Sequence, residues 1–236
     1  MPARGRREPI YVLARSLIIP PLRLWFRWDI QGLERIPRRG PGLLAFNHIS
    51  YLDPLAISNV VDHAGRRPRF LTKSELFQDK RIGWALRGCG QIEVHRGTGR
   101  ARVALKAALE ALAQGEVIVI FPEGTVTTRA DLSPMAPRSG VTRLALTGGV
   151  PVVPCGIWGT HNIWPKGFAS NWRPGQRISV SIGEPMTIGG SLQSTREWEE
   201  AGQEIMSRIE SLVAPLRAGI PDRRRPKRGV RAKVPG

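Results

Sequence analysis

Apolar residues recur along this chain in two rhythms. Between positions 99 and 114, Val103, Leu105, Ala108, Leu109 and Leu112 return at the spacing of one helix face, and Gly115 stands where a helix ends in a left-handed turn. Residues 117–121 form instead a continuous, mostly β-branched run, the pattern of a strand covered on both faces. The same reading predicts strands over 42–47, 69–72, 91–96, 152–157 and 178–182. It predicts helices over 54–61, 81–87, 139–147 and 195–216. Helices interleaved with short buried strands predict one α/β domain, a mixed, largely parallel sheet flanked by helices. At 236 residues the chain is long enough to bury one sizeable core.

Two segments stand outside this alternation. Residues 9–28 are apolar and aromatic, with Trp25, Phe26 and Trp28 close together, and are interrupted by Arg15, Arg23 and Arg27. Pro20-Pro21 is expected to break or kink any helix here, giving two short helical pieces. Aromatic rings beside arginine suit a helix lying in a membrane interface, so residues 1–29 are expected to be an N-terminal interfacial helical segment. The alternative is a helix packed on the domain's own core. The main domain is then expected over 30–216, followed by a basic, disordered tail over 217–236. No apolar stretch near the N-terminus reaches the ~20 residues of a membrane span. No signal-peptide cleavage pattern follows the basic start.

Charge sharpens this picture. The net charge is +17, and it sits at the ends. Residues 1–39 hold nine arginines against three acidic residues, and 217–236 hold eight basic residues against Asp222. Basic ends suit anionic lipid head groups or nucleic acid. No nucleic-acid fold signature accompanies the charge, so nucleic acid is not an expected partner. Arginine outnumbers lysine thirty to six, a bias that codon usage also produces. The two cysteines, Cys89 and Cys155, have neither disulfide-framework nor zinc spacing, which fits a reducing compartment.

Candidate chemistry begins at Asn47-His48-Ile49-Ser50-Tyr51-Leu52-Asp53-Pro54. His48 falls in the turn between a strand and a helix, at the strand end where open α/β sheets bind ligands. Asp53 precedes Pro54, the position of a helix N-cap. Five residues apart across the turn, the two side chains can also meet, and a carboxylate that fixes an imidazole makes it a general base. A cysteine nucleophile is a weaker alternative, because neither cysteine has a matched base.

His48-x4-Asp53 resembles the first signature of the PlsC-like glycerolipid acyltransferases, the lysophosphatidic acid acyltransferase family. Residues 90–97 resemble the second, Phe121-Pro122-Glu123-Gly124-Thr125 the third, and residues 150–156 the fourth, in family order over roughly 30–188. The resemblance implies an O-acyltransferase. His48 would deprotonate the acceptor's hydroxyl, Asp53 would orient His48, and acyl-CoA or acyl carrier protein would be the co-substrate, with no cofactor and no metal. Arg96 and Lys73 would bind the acceptor's phosphate together with Glu123, Gly124 and Thr125. Glu123 would organise the pocket, tied either to backbone or to Arg96. Many members carry arginine after F-P-E-G-T, where this chain has Val126. Arg129 or Arg138 would compensate, or the acceptor is a different lysophospholipid. The implied location is peripheral, on the cytoplasmic face of the cell membrane, against an anionic surface.

Overall fold

The computed structural model describes residues 9–95, 101–190 and 194–226. Its apolar runs line up as a seven-stranded sheet, because strands buried on both faces satisfy their backbone only through each other. The order across the sheet is β1 (Arg27–Gln31), β8 (Arg177–Ile182), β6 (Val152–Trp158), β2 (Gly42–Phe46), β5 (Val117–Ile120), β3 (Pro68–Lys73) and β4 (Ile92–Val94). Strands β2 to β6 run parallel to one another. β8 is antiparallel to β6 and carries β1 parallel to itself. A two-stranded ribbon pairs β7 (Phe168–Ala169) with β9 (Arg225–Pro226).

Side chains of period two divide the core between the two faces. Leu43, Ala45, Ile118 and Ile120 pack against α5 (Ala101–Ala113), α6 (Gly140–Gly148) and α7 (Thr195–Gly219). Leu44, Phe46, Val117 and Val119 pack beneath α1 (Pro9–Trp25) and α2 (Asp53–His63). Two short helices, α3 (Ser74–Gln78) and α4 (Gly83–Gly88), fill the crossover from β3 to β4. Gly88 lets α4 approach α1, since a Cβ there would come within 2.4 Å of Ile10.

The N-terminal segment departs from expectation. α1 is one helix that contains both Pro20 and Pro21. The carbonyls that lose a donor belong to Ser16 and Leu17, and these residues and both prolines are exposed, so the missing bonds leave no buried group unanswered. The expected boundary at residue 29 falls inside β1, which is hydrogen-bonded into the sheet. Phe26 is buried in the core, and Trp28 donates its Nε1–H to the Leu22 carbonyl at 3.1 Å. Among the described residues no helix is long and apolar enough to cross a membrane.

The C-terminal expectation also changes. α7 runs through Gly219, beyond the expected end at 216. Residues 220–226, read from composition as disordered, are held by side chains from the sheet. Trp158 Nε1 donates to the Ile220 carbonyl at 2.8 Å. Asn162 donates to the Pro221 carbonyl and accepts from the Arg223 amide. Residues 227–236 of the expected tail lie outside the described residues.

Ion pairs fix α1 to α2. Arg15 and Arg23 both pair with the Asp62 carboxylate, and Arg23 Nε also donates to Asn59 at 2.7 Å. Asp62 is buried on its side-chain atoms while both arginines stay partly exposed. Asp62→Ala should lower unfolding free energy by about 2 kcal/mol, between the values of an exposed and a buried pair. Chemical denaturation checks this, and an unchanged midpoint would assign the α1–α2 contact to apolar packing alone.

Candidate active site

The site forms where β2 ends and the chain turns toward α2. Asn47 closes the gap between β2 and β6, donating to the Ile157 carbonyl at 3.0 Å and accepting from the Ile157 amide at 2.8 Å. Ser50 ties the turn to the loop after β6 through the Trp164 carbonyl at 2.7 Å. The turn is therefore braced on both sides before any catalytic group is considered.

Asp53 does not cap the helix, as its position before Pro54 predicts. The N-cap position is Leu52 and makes no side-chain cap, and Asp53 is the first helical residue. Its carboxylate folds back over the turn instead. Oδ2 accepts from the amides of Ile49 at 2.7 Å and Ser50 at 2.8 Å, and from Nδ1 of His48 at 2.8 Å. Oδ1 accepts from the Thr160 hydroxyl at 2.5 Å. A carboxylate already accepting three other bonds has no proton to offer, so Nδ1 of His48 is the donor and the Nε2 lone pair is left free. The His48 ring stacks on Phe121, with centroids 4.0 Å apart and planes 15° apart.

Glu123 is the second buried carboxylate. Oε1 accepts from the His48 amide at 2.8 Å and Oε2 from the Met135 amide at 2.9 Å. Of the two ties open from the sequence, backbone is the one this geometry displays. Thr127 donates its amide to the His48 carbonyl at 2.7 Å, so residues 123–127 hold both the amide and the carbonyl of His48. Gly124 turns the chain with φ of +73°, a conformation that suits glycine. Thr125 is half-buried, and its amide and hydroxyl have no protein partner among the described residues.

The other expected residues gather less tightly. Lys73 ends β3 in register with Val94 of β4, at the same edge of the sheet as His48. Arg96 lies outside the described residues. Val126 is buried. Arg129 and Arg138 are both exposed, and the charge of Arg129 acts on Glu123 to favour its ionised form. Three contributors were not read from the sequence as parts of the site. Thr160 follows β6, Met135 offers only a backbone amide, and Phe121 was counted as part of a motif without its stacking role. No pattern near Thr160 announces its contact with Asp53.

The acyltransferase family profile matches residues 27–158, more than half of the chain. The chain belongs to the acyltransferase family. A chloroplastic 1-acyl-sn-glycerol-3-phosphate acyltransferase of Brassica napus is 32% identical over 185 residues, 78% of this acyltransferase and 52% of the relative. A second, from Arabidopsis thaliana, is 32% identical over 77% of this chain and 49% of its own. The acyltransferase thus spans about half the length of these curated relatives. The crystal structure of the 1-acyl-sn-glycerophosphate acyltransferase PlsC from Thermotoga maritima superposes with a TM-score of 0.64 at 28% identity, covering 89% of this chain and 78% of that one.

Two buried groups at the site respond oppositely to pH. Burial pushes the Glu123 carboxyl up to about 7, against the two amides that favour its charge. Burial also holds His161, next to Thr160, down at about 4; its ring is enclosed beside Trp158 with neither nitrogen hydrogen-bonded among the described residues. Folded Glu123 keeps a proton that the unfolded chain loses near 4.5, so its contribution to stability falls as pH rises from about 4.5 to 7. Unfolded His161 takes up a proton near 6.5 that the folded state refuses until about 4, so its contribution rises with pH across that window. The slopes oppose where they overlap. His161→Phe should make stability fall more steeply with rising pH than in the native chain, and Glu123→Gln should make it rise more steeply. Denaturation midpoints from pH 4.5 to 7 decide this, and parallel curves for all three proteins would reject it. At pH 4.5, where the native carboxyl is still neutral, Glu123→Gln should cost about 1–3 kcal/mol, because its amide NH2 must face one of the two backbone donors, and the deficit should shrink as pH rises.

Proposed function

We propose that this acyltransferase moves an acyl group from acyl-CoA or acyl carrier protein to the free hydroxyl of lysophosphatidic acid, giving phosphatidic acid. The observation that carries the reading is the His48–Asp53 pair at 2.8 Å, with Nε2 left as an acceptor at the carboxyl end of β2. The relatives named as 1-acyl-sn-glycerol-3-phosphate acyltransferases support the choice of substrate.

In this reading Nε2 of His48 removes the acceptor's hydroxyl proton as the oxygen attacks the thioester carbonyl. Asp53 holds the ring and stabilises the imidazolium, and Thr160 holds Asp53. The tetrahedral oxyanion needs a donor, and the unpartnered Thr125 amide and hydroxyl are suited to it. His48 then returns the proton to the leaving thiolate. No acyl-enzyme forms, and no cofactor or metal takes part. Lys73 and Arg96 bind the acceptor's phosphate, arginine in bidentate fashion. Glu123 shapes the pocket without touching substrate, by fixing the His48 amide. In this reading the enzyme is peripheral on an anionic membrane surface, on the cytoplasmic face of the cell membrane, and the exposed apolar side of α1 supports the membrane contact.

A second acceptor is favoured by one observation. Val126 is buried where many family members carry arginine, which weakens the phosphate grip and admits another lysophospholipid. Product identification by mass spectrometry over a panel of lysolipids separates the two.

His48→Ala should lower turnover by about 10²–10⁴-fold or more with the fold intact, followed as free thiol released from acyl-CoA. A near-native rate would remove His48 from the chemistry. Thr160→Val should lower kcat about tenfold with little change in KM, because it loosens the base rather than the substrate. Arg96→Ala should instead raise KM for the phosphate-bearing acceptor, and an unchanged KM would return Arg96 to a structural role.

A further inference from the structure

Tyr51 stands between His48 and Asp53, has no part in the proposed chemistry and is 48% exposed. Its ring meets Trp164 edge-on at 6.0 Å. Trp164 meets Trp172 at 5.7 Å, and Trp172 meets Phe26 at 6.3 Å. Trp25, at the end of α1, donates its indole N–H to the Trp172 carbonyl at 2.7 Å. The rings form one chain from the His48 turn to the end of α1. Trp25, Trp164 and Trp172 are each exposed by 40% or more, and Leu24 beside them by 89%.

The backbone binds this loop to the reactive turn. Tyr51 donates its amide to the Trp164 carbonyl at 3.1 Å, and Ser50 bridges Pro165 in antiparallel fashion. Whatever seats the loop therefore seats His48.

Charge distinguishes between occupants. Residues 163–176 contain no acidic residue, while Lys166 and Arg173 are both exposed. α1 cannot meet this need with Arg15 and Arg23, since both are committed to Asp62. Indole rings flanked by cations, with exposed leucine beside them, match the boundary between head groups and acyl chains. A soluble acidic partner would answer the cations but leave the apolar surface in water.

We infer that the loop from Trp164 to Arg173 is a second lipid-docking element, which together with Trp25 and Tyr51 seats the active-site turn on an anionic bilayer. The inference rests on the proposed function only in taking the acceptor to be a membrane lipid. α1 supplies the apolar contact and the loop supplies the free cations. The mouth of the site is then held against the surface from which a lysolipid enters.

The test uses the full chain and vesicles of phosphatidylglycerol and phosphatidylcholine, with neither lysolipid nor thioester present. Trp164→Ala/Trp172→Ala should lower the vesicle partition coefficient about tenfold or more, while Trp164→Phe/Trp172→Phe should keep most of it. Brominated phosphatidylcholine should quench native tryptophan fluorescence, and the folded Trp164→Phe/Trp172→Phe variant should show a smaller quenched fraction. Equal partition of native and alanine proteins would overturn the inference, as would an undiminished quenched fraction in the phenylalanine variant. A dimer that the alanine variant dissociates, with vesicle binding unchanged, would assign the patch to a second copy and also overturn it. So would a raised KM for acyl carrier protein with vesicle binding unchanged. A protein that binds vesicles through these rings yet acylates no lysolipid would overturn the reaction and leave the docking surface standing.

Discussion

A carboxylate shut away from water needs its charge answered by donors, and Asp53 has four of them. Two are amides of its own turn, one is the His48 ring, and one is the Thr160 hydroxyl after β6. Removing such a group from solvent without partners costs several kcal/mol. The turn must therefore keep the shape that brings Ile49 and Ser50 amides inward, and β6 must lie beside β2. The orientation of the imidazole is a consequence of this arrangement. The same bonds that make the turn stable leave Nε2 as the accepting nitrogen of the ring.

Glu123 works on the other half of the turn. It accepts the His48 amide with one oxygen and the Met135 amide with the other, joining the end of β5 to the loop beyond it. Two neutral donors do not offset its burial, which explains why its carboxyl holds a proton to about 7. Two buried acids thus serve one histidine differently. Asp53 addresses the ring, and Glu123 addresses the backbone that carries it. Their positions follow from the parallel sheet, since β2 and β5 are neighbours that end at the same edge.

The outer side of α1 and the loop after β6 obey a different constraint. α1 has an apolar exposed face, but its arginines close an ion-pair cluster on Asp62 and hold the helix down on α2. Cations free to meet head groups sit instead on the loop that is stitched to the His48 turn. The loop and the His48 turn are coupled through short backbone bonds. The strap of residues 220–226 holds Asn162, just before this loop, and pairs with the loop itself through β9 and β7.

The sequence by itself determined the fold class and the meeting of His48 with Asp53. Alternation of apolar runs and helical periods reports burial, which is local to each element, so the α/β sheet was legible before its strands were paired. His48-x4-Asp53 was legible because five residues across a turn restrict where two side chains can go. The tertiary structure decided the rest. It moved Asp53 from a helix cap to the centre of a hydrogen-bond cluster and carried α1 through Pro20-Pro21. It also placed β1 in the sheet and brought Thr160, 107 residues away in sequence, onto Asp53. Contacts of that span depend on which strands lie side by side, and strand order is set by how the whole core closes, a quantity no single segment carries.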